Sequence, residues 1–185
     1  MTARIVVAIS GQVAAGKTTA GYYLRDQGFG YTRISWAIKQ HLASVEASLK
    51  EGREPSRRQY QNEGIDLHKN VGQAWLCAQA LALLPQYVFH FVADGLRWID
   101  DVEFFRRRYG PQLLHFHIEA PLEERRRRFE ARDKDVSFKE ADSHEVEREA
   151  PLLAPVADRV IPNDGSIEDF YLKIRSTLEE QLNAR

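Results

Sequence analysis

The sequence has little cysteine, little net charge and no long apolar run. Its single cysteine, Cys77, excludes an internal disulfide and favours a reducing, cytoplasmic location; it lies on a predicted buried helix face and is not expected to be catalytic. A formal net charge of -1 at pH 7 gives no global field that would attract nucleic acid or a membrane surface. Because no apolar run reaches the length of a membrane span and no signal peptide is recognisable, we expect a cytoplasmic protein without a membrane partner. The 185 residues suit one domain with a sizeable core.

One stretch carries a specific chemical signal. Residues 11–19, GQVAAGKTT, fit the phosphate-binding (Walker A) pattern G-x-x-x-x-G-K-[ST], between an apolar strand-forming run and a helix-compatible segment. The glycines let backbone N–H groups converge on phosphate oxygens, and the helix N-terminus adds its positive dipole end. Lys17 is expected to reach the β- and γ-phosphates of ATP, and the Thr18 hydroxyl to hold Mg²⁺. The nucleotide-binding residues predicted here are Gly11, Ala14, Ala15, Gly16, Lys17, Thr18 and Thr19.

Predicted strands alternate with predicted helices along the rest of the chain. The strands are expected at about 3–9, 31–34, 87–93, 113–118 and 156–161, and the helices at about 17–27, 35–49, 57–68, 72–84, 98–109, 121–132, 143–150 and 166–182. The polar stretch 133–142 is expected to be mobile. This alternation predicts an α/β fold with three layers, in which helices cover both faces of a five-stranded parallel sheet.

Asp94 and Arg97 are candidates at the third strand. Asp94 follows an apolar run, where a carboxylate can organise Mg²⁺ or accept a proton from an attacking group. The alternative is a turn-forming aspartate before Gly95. Arg97 can clamp an acceptor phosphate through two hydrogen bonds, or it is a solvated arginine at a helix start. Both follow a strand's carboxyl end, where parallel sheets bind ligands.

The order of four stretches resembles the P-loop nucleoside and nucleotide kinases, especially the deoxynucleoside monophosphate kinases and the dephospho-coenzyme A kinases. The stretches are GQVAAGKTT at 11–19, DGLR at 94–97, PLEERRRRFEARD at 121–133 and ADRVIPNDGS at 157–166. The resemblance covers nearly the whole chain. It implies a P-loop NTPase fold and a single kinase domain over 1–185, with a helical acceptor-binding insert at about 35–84 and an arginine-bearing lid at about 121–142.

The same resemblance implies roles for residues outside the phosphate-binding loop. Arg125, Arg128 and Arg132 match lid arginines that close over the polyphosphate, and their spacing puts them on one helical face. The alternative is a salt-bridged surface helix. Asn163 and Gly165 match a turn along the nucleotide base, or they form a plain turn. The residues implied for the acceptor side are Trp36, Lys39, Arg57, Arg58, Tyr60 and Gln61, beside the candidate phosphate clamp Arg97. Guanidinium groups suit phosphate, and rings and amides suit a base. The alternative for the residues of the insert is a polar surface helix.

One departure from the dephospho-coenzyme A kinases bears on the acceptor. Those enzymes carry an acid just after the second strand, where this chain has Ile34-Ser35-Trp36-Ala37. An alcohol acceptor benefits from a general base, whereas a phosphate acceptor is already an anion. The sequence therefore favours ATP- and Mg²⁺-dependent transfer to a (deoxy)nucleoside monophosphate. An alcohol acceptor stays open, with Asp94 as the base: dephospho-coenzyme A, a nucleoside, or a hydroxymethylated base in DNA.

Two further alternatives concern partners and metals. The basic islands Arg57-Arg58 and 106–108 suit DNA as an acceptor, although the net charge gives no support. A regulatory ATPase or GTPase without a dedicated acceptor is the remaining class, and the chain lacks a guanine-specificity Asn-Lys-x-Asp motif. His115 and His117 alternate along a strand without an acid or cysteine cluster, so we expect local hydrogen-bond partners rather than zinc. We expect a monomer or homodimer.

Overall fold

The computed structural model describes residues 4–45, 54–133 and 136–183, and they form an α/β fold. The strands are β1 (Val6–Ser10), β2 (Gly30–Arg33), β3 (Phe91–Leu96), β4 (Leu113–Glu119) and β5 (Arg159–Pro162). The helices are α1 (Lys17–Asp26), α2 (Ile34–Val45), α3 (Arg57–Asn70), α4 (Gln73–Ala82), α5 (Ile99–Tyr109), α6 (Leu122–Arg132), α7 (Phe138–Asp142), α8 (Glu145–Glu149) and α9 (Ile167–Asn183). Short 3-10 helices cover Gly110–Gln112 and Ala150–Val156. No helix in the described ranges is long and apolar enough to cross a bilayer.

The five strands form one parallel sheet in the order β2-β3-β1-β4-β5. Val6 of β1 pairs with Phe91 and Leu113 of its two neighbours. Further along, Ile9 pairs with Asp94. The sheet register therefore brings Asp94 beside the end of β1, next to the phosphate-binding loop. The predicted fold class is confirmed.

Alternate residues of the central strands face opposite layers. Val6 and Ala8 contribute to a core cluster with residues of α2, α4 and α5, whereas Val7 and Ile9 pack in a second cluster with α1 and α9. A third, small cluster joins Val13 of the loop to α6 and α7. Strands buried on both faces explain why their sequences are apolar at every position rather than at alternate ones. The third cluster holds the segment after β4 against the loop.

Three predicted boundaries differ from the structure. The third strand begins at Phe91, not Tyr87, and Tyr87 is 89% exposed. The strand also continues to Leu96, so Asp94 lies within it instead of ending it. The last strand covers Arg159–Pro162 because the prolines of the preceding stretch form a 3-10 helix up to Val156.

The predicted mobile stretch contains a helix. Residues 138–142 form α7, and the hydroxyl of Ser137 accepts a hydrogen bond from the backbone N–H of Glu140 at its start. Phe138 is buried against Phe129 of α6. Burial of an aromatic ring accounts for regular structure in a polar sequence. Residues 46–49 of the predicted second helix lie outside the described residues.

Candidate functional site

The loop between β1 and α1 requires glycine at two positions. Gly11 and Gly16 have φ angles of +139° and +111°. A Cβ on Gly11 would lie 2.3 Å from the carbonyl oxygen of Ile118, and a Cβ on Gly16 would lie 2.2 Å from Nδ2 of Asn163. These close approaches fold the loop tightly around the start of α1, where free backbone N–H groups gather.

Lys17 turns back onto this loop. Its Nζ donates hydrogen bonds to the carbonyl oxygens of Gly11 and Gln12, both at 2.7 Å. Burial, assisted by the positive charge of Arg97, lowers the pKa of Lys17 from 10.5 to about 7. The carboxylates of Glu147 and Asp94 act in the opposite direction. A nearby anion would favour the charged ammonium.

Asp94 and Thr18 place two oxygen ligands side by side. The Thr18 hydroxyl and the Tyr31 hydroxyl donate to Oδ2 of Asp94 at 3.0 and 2.7 Å, and Nε of Arg33 lies 3.3 Å from the same oxygen. The other oxygen, Oδ1, is buried without a hydrogen-bond partner among the described residues. Burial, followed by the adjacent carboxylate, raises the pKa of Tyr31, so Tyr31 stays a donor. A hydroxyl beside a half-satisfied carboxylate fits Mg²⁺, which takes few protein ligands.

Arg97 and Glu147 form an ion pair on the loop. Nη1 of Arg97 donates to Oε2 of Glu147 at 2.6 Å and to the carbonyl oxygen of Gly11 at 3.0 Å. The backbone N–H of Val13 donates to the same Glu147 oxygen at 2.7 Å. Oδ2 of Asp101 accepts the backbone N–H of Arg97 at 2.8 Å, which holds that residue in place. Arg97 was predicted at the site, whereas Glu147 was not, because an acidic helix is typical of a solvated surface.

Two cavities meet beside the loop. The loop cavity, of about 380 Å³, is lined by Val13, Ala14, Gly16, Thr18, Thr19, Arg128, Asn163, Gly165 and Ile167. The insert cavity, of about 600 Å³, extends between β3, α2, α3, α4 and α8, and its walls include Ile34, Ile38, Tyr60, Gln61, Gln73, Leu76, Asp94, Trp98, Val146 and Glu147. Five cationic side chains line both cavities: Lys17, Arg33, Arg57, Arg97 and Arg132.

The shared cations keep excess positive charge. Arg57 pairs with Asp133 at 2.7 Å. Arg132, in contrast, forms no salt bridge with any residue of the described part of the chain. Burial and the neighbouring Arg57 charge lower the pKa of Arg132. An anionic ligand at the meeting point of the cavities would relieve this repulsion.

Most predicted nucleotide-binding residues line the loop cavity. Gly11 and Ala15 do not line it; their carbonyl oxygens accept hydrogen bonds from the side chains of Lys17 and Asn163, respectively. Arg128 lines the cavity and donates to the carbonyl oxygen of Asn163 at 3.1 Å.

The three predicted lid arginines have different surroundings. Arg128 reaches the loop cavity and Arg132 reaches both cavities. Arg125 lines neither, because its buried guanidinium pairs with Asp142 at 2.5 Å and so ties α6 to α7. Arg125 therefore holds the segment together instead of facing the cavities.

The predicted acceptor residues divide in the same way. Arg57, Tyr60, Gln61 and Arg97 line the insert cavity. Three others do not: Trp36 packs edge-on against Tyr31, Lys39 pairs with Glu54, and Arg58 pairs with Glu140. Five other residues line the insert cavity and were not predicted from the sequence: Arg33, Gln73, Trp98, Asp101 and Glu147. Of these, only Arg33 carried a signal in the sequence, because it lies at the carboxyl end of β2 and ligands bind at such strand ends.

Buried polar groups behind the loop have structural partners. Nε2 of His115 and Nδ1 of His117 form hydrogen bonds with the Ser10 hydroxyl at 2.7 and 2.8 Å. The prediction of local hydrogen-bond partners for these two histidines is confirmed. Burial lowers the pKa of both histidines to about 4. Cys77 is buried and contacts Asp101, and burial raises the pKa of its thiol, which makes it a poor nucleophile. The described residues contain no group of three or more His, Cys, Asp or Glu that could hold a metal ion.

Comparisons with known sequences find relatives whose names state no activity. No protein-family model matches the chain. The chain is similar to a UPF0200/UPF0201 protein of Archaeoglobus fulgidus, with 29% identity over 94% of this chain and 54% of that protein. It is also similar to a UPF0200 protein of Methanosarcina mazei, with 26% identity over 97% of this chain and 96% of that protein. The chain thus spans about half the length of the Archaeoglobus relative.

Solved structures with a similar fold include several kinases. TT1252 from Thermus thermophilus matches with a TM-score of 0.62 and 22% identity over 97% of this chain and 98% of that chain. A shikimate kinase from Acinetobacter baumannii matches with a TM-score of 0.57 and 18% identity over 97% of this chain and 94% of that chain. Dephospho-CoA kinase from Campylobacter jejuni matches with a TM-score of 0.55 and 15% identity over 97% of this chain and 98% of that chain. At these identities the likeness shows the fold alone.

Proposed function

We propose that this chain is a kinase that transfers the terminal phosphoryl group of ATP to a small-molecule acceptor. The observation that carries the proposal is the set of cations shared by the two cavities: Lys17, Arg33, Arg57, Arg97 and Arg132. A phosphoryl group that passes from one cavity to the other stays within reach of these charges throughout. Catalysis of phosphoryl transfer consists largely of such positioning and charge stabilisation.

The loop cavity is the proposed donor side. The loop amides and Lys17 bind the phosphates of ATP, and the turn with Asn163 and Gly165 lies along the base. Thr18 and Asp94 would hold Mg²⁺, since their oxygens are adjacent and Oδ1 of Asp94 lacks a partner among the described residues. Bound Mg²⁺ would neutralise charge on the donor phosphates.

The insert cavity is the proposed acceptor side. Its apolar wall, with Ile38 and Leu76, excludes water from the reacting groups, while Arg57 and Arg97 orient an anionic acceptor at the meeting point. Arg132 stabilises charge on the group in transfer. In this proposal the chain acts as one cytoplasmic kinase domain, with the insert and the segment from α6 to α8 enclosing the two substrates. Fold neighbours named as shikimate kinase and dephospho-CoA kinase support the reaction type.

Two acceptor classes fit this site. A nucleoside monophosphate fits the arginines, and it is the class that the sequence favours. An alcohol is the second candidate, and a specific observation favours it: the Glu147 carboxylate lines the insert cavity beside the loop. A carboxylate in this position can accept the proton of an acceptor hydroxyl. The region directly after β2 supplies no acid for that purpose.

Kinase assays with a panel of acceptors test the proposal. ADP formation is followed with ATP and Mg²⁺ in the presence of nucleoside monophosphates, nucleosides and dephospho-coenzyme A. Arg57→Ala is compared with Arg58→Ala, because Arg57 lines both cavities while its neighbour lines neither. Loss of a charged hydrogen bond predicts that Arg57→Ala lowers kcat/KM for the acceptor by about 10- to 100-fold. Arg58→Ala should stay within about twofold.

The controls separate binding from transfer. Thermal melting and the Kd for ATP are measured for both variants, because Arg57 also contacts Asp133 and the ring of Phe129. Slow ATP hydrolysis that no acceptor stimulates would refute the proposal and favour a regulatory ATPase.

A further inference from the structure

We infer that Glu147 accepts the proton of an acceptor hydroxyl, so that the group phosphorylated in this site is an alcohol. The inference rests on the proposed kinase function, because it requires a phosphoryl donor in the loop cavity. It goes beyond that function by assigning a residue that no sequence motif marked and by choosing the chemical class of the reacting group.

Glu147 lies where the acceptor meets the loop. Its side chain is 2% exposed and lines the insert cavity but not the loop cavity. Oε2 accepts hydrogen bonds from the N–H of Val13 at 2.7 Å and from Arg97 at 2.6 Å. The carboxylate is thus fixed on the acceptor side of the phosphate-binding loop.

The second oxygen of Glu147 is available to the cavity. Both hydrogen bonds that the Glu147 side chain accepts use Oε2, and within the described ranges Oε1 has no hydrogen-bond donor. The two donors hold the carboxylate rigidly, which suits a group that must meet one proton at one position. An acceptor hydroxyl in the insert cavity would donate to Oε1.

Asp94 has one oxygen engaged by other side chains and one oxygen without a partner among the described residues. Its Oδ2 accepts hydrogen bonds from the hydroxyls of Thr18 and Tyr31 and lies 3.3 Å from Nε of Arg33. These contacts hold Asp94 beside Thr18 at the start of α1, where its partnerless Oδ1 would bind Mg²⁺. The two carboxylates therefore have separate roles: Asp94 organises the metal and Glu147 takes the proton.

A phosphate acceptor suits this position poorly. Its attacking oxygen already carries negative charge, needs no base, and would be repelled by a carboxylate held beside it. A hydroxyl is neutral and gains from the same carboxylate. Anionic groups elsewhere on the acceptor can still bind Arg57 or Arg132, which line the same cavity.

In the proposed transfer, each bond that forms is matched by a bond that breaks. The O–H bond of the acceptor breaks as its oxygen forms a bond to the γ-phosphorus of ATP. The bond from that phosphorus to the β-phosphate oxygen breaks, and ADP leaves. The proton passes to Glu147, which then releases it to solvent.

The test compares Glu147→Gln with Glu145→Gln. Glutamine at 147 keeps an oxygen for Val13 and Arg97, so the local structure is retained, but it cannot take a proton. Glu145 is on the same helix, is exposed and lies 3.6 Å from Lys69 in a surface ion pair, which makes it a matched control for the loss of one charge. ATP affinity and thermal melting are measured for both variants.

The assay uses two sets of acceptors with ATP and Mg²⁺. The alcohols are dephospho-coenzyme A, thymidine and an oligonucleotide with 5-hydroxymethyldeoxyuridine; the phosphates are AMP, dCMP, dGMP and dTMP. Phosphorus NMR distinguishes a new phosphate ester on carbon from a new diphosphate linkage. We expect an ester from at least one alcohol and a loss of kcat of about 10²- to 10⁴-fold in Glu147→Gln, with ATP affinity within about threefold of the wild type. Glu145→Gln should stay within about twofold.

Three results would contradict the inference. One is equal turnover of an alcohol by the two variants, and another is a diphosphate product from a monophosphate; in both cases the kinase function stands. If ATP binds and the wild type phosphorylates neither set, the proposed function itself fails, and the role of Glu147 fails with it.

Discussion

ATP should bind more weakly as the pH rises above 7, because Lys17 must be charged to hold phosphate. Burial lowers the pKa of Lys17 from 10.5 to about 7, with Arg97 as the next contribution. This difference corresponds to about 5 kcal/mol against the charged form in the free protein. ATP brings negative charge to the ammonium, so binding above pH 7 takes up a proton. Linkage then predicts that the Kd for ATP rises about 50-fold between pH 7 and pH 9.

Isothermal titration calorimetry measures both effects. Titrations at pH 8.5 in two buffers with different ionisation enthalpies should show an uptake of about one proton for each ATP bound. Lys17→Met serves as the control, since its weaker binding should not change with pH in this range. A wild-type Kd that is constant within about threefold from pH 7 to 9 would refute the argument, as would the same slope in Lys17→Met.

Three further substitutions test other parts of the site. Burial raises the pKa of Asp101 from 3.8 to about 6, so the folded protein binds this proton more tightly than the unfolded chain, and the free energy of unfolding should fall by about 2 kcal/mol as pH rises from 4 to 6; Asp101→Asn should remove that fall in urea titrations against the wild type. Gly16→Ala places a Cβ 2.2 Å from Nδ2 of Asn163 at a φ of +111°, and should cost about 2–4 kcal/mol of stability and weaken ATP binding in calorimetry. Arg125→Ala leaves Asp142 unpaired and should lower stability by about 3 kcal/mol in chemical unfolding, while kcat/KM of the remaining folded enzyme changes by less than about threefold, because Arg125 lines neither cavity.

The residues of the phosphate-binding loop could be identified because they are contiguous in sequence. The residues of 11–19 follow one another along the backbone, so a single pattern contains their geometry. Asp94 was found from the apolar run before it, although the structure extends that strand to Leu96. The sheet register then brings Asp94 beside Ile9, which the run alone does not specify.

The walls of the insert cavity resisted prediction because their residues come from distant segments. Arg57 and Arg58 are neighbours of the same type, yet only Arg57 faces the cavities. Arg125 and Arg128 match the same lid pattern, yet Arg125 forms a buried ion pair with Asp142 and only Arg128 lines the loop cavity. Which face of a helix meets a cavity depends on packing against other elements, and a charge pattern within one helix carries no information about it.

The sequence by itself determined the α/β fold and the phosphate-binding loop, because hydrophobic periodicity and a contiguous motif depend on local order along the chain. Only the tertiary structure decided the place of Glu147. It approaches Val13 across a separation of 134 residues, carried there by a five-residue helix whose neighbouring Val146 is buried. In an acidic stretch every carboxylate favours solvent equally; packing of the apolar neighbour selects the one that is buried, and the loop amide and Arg97 compensate its charge.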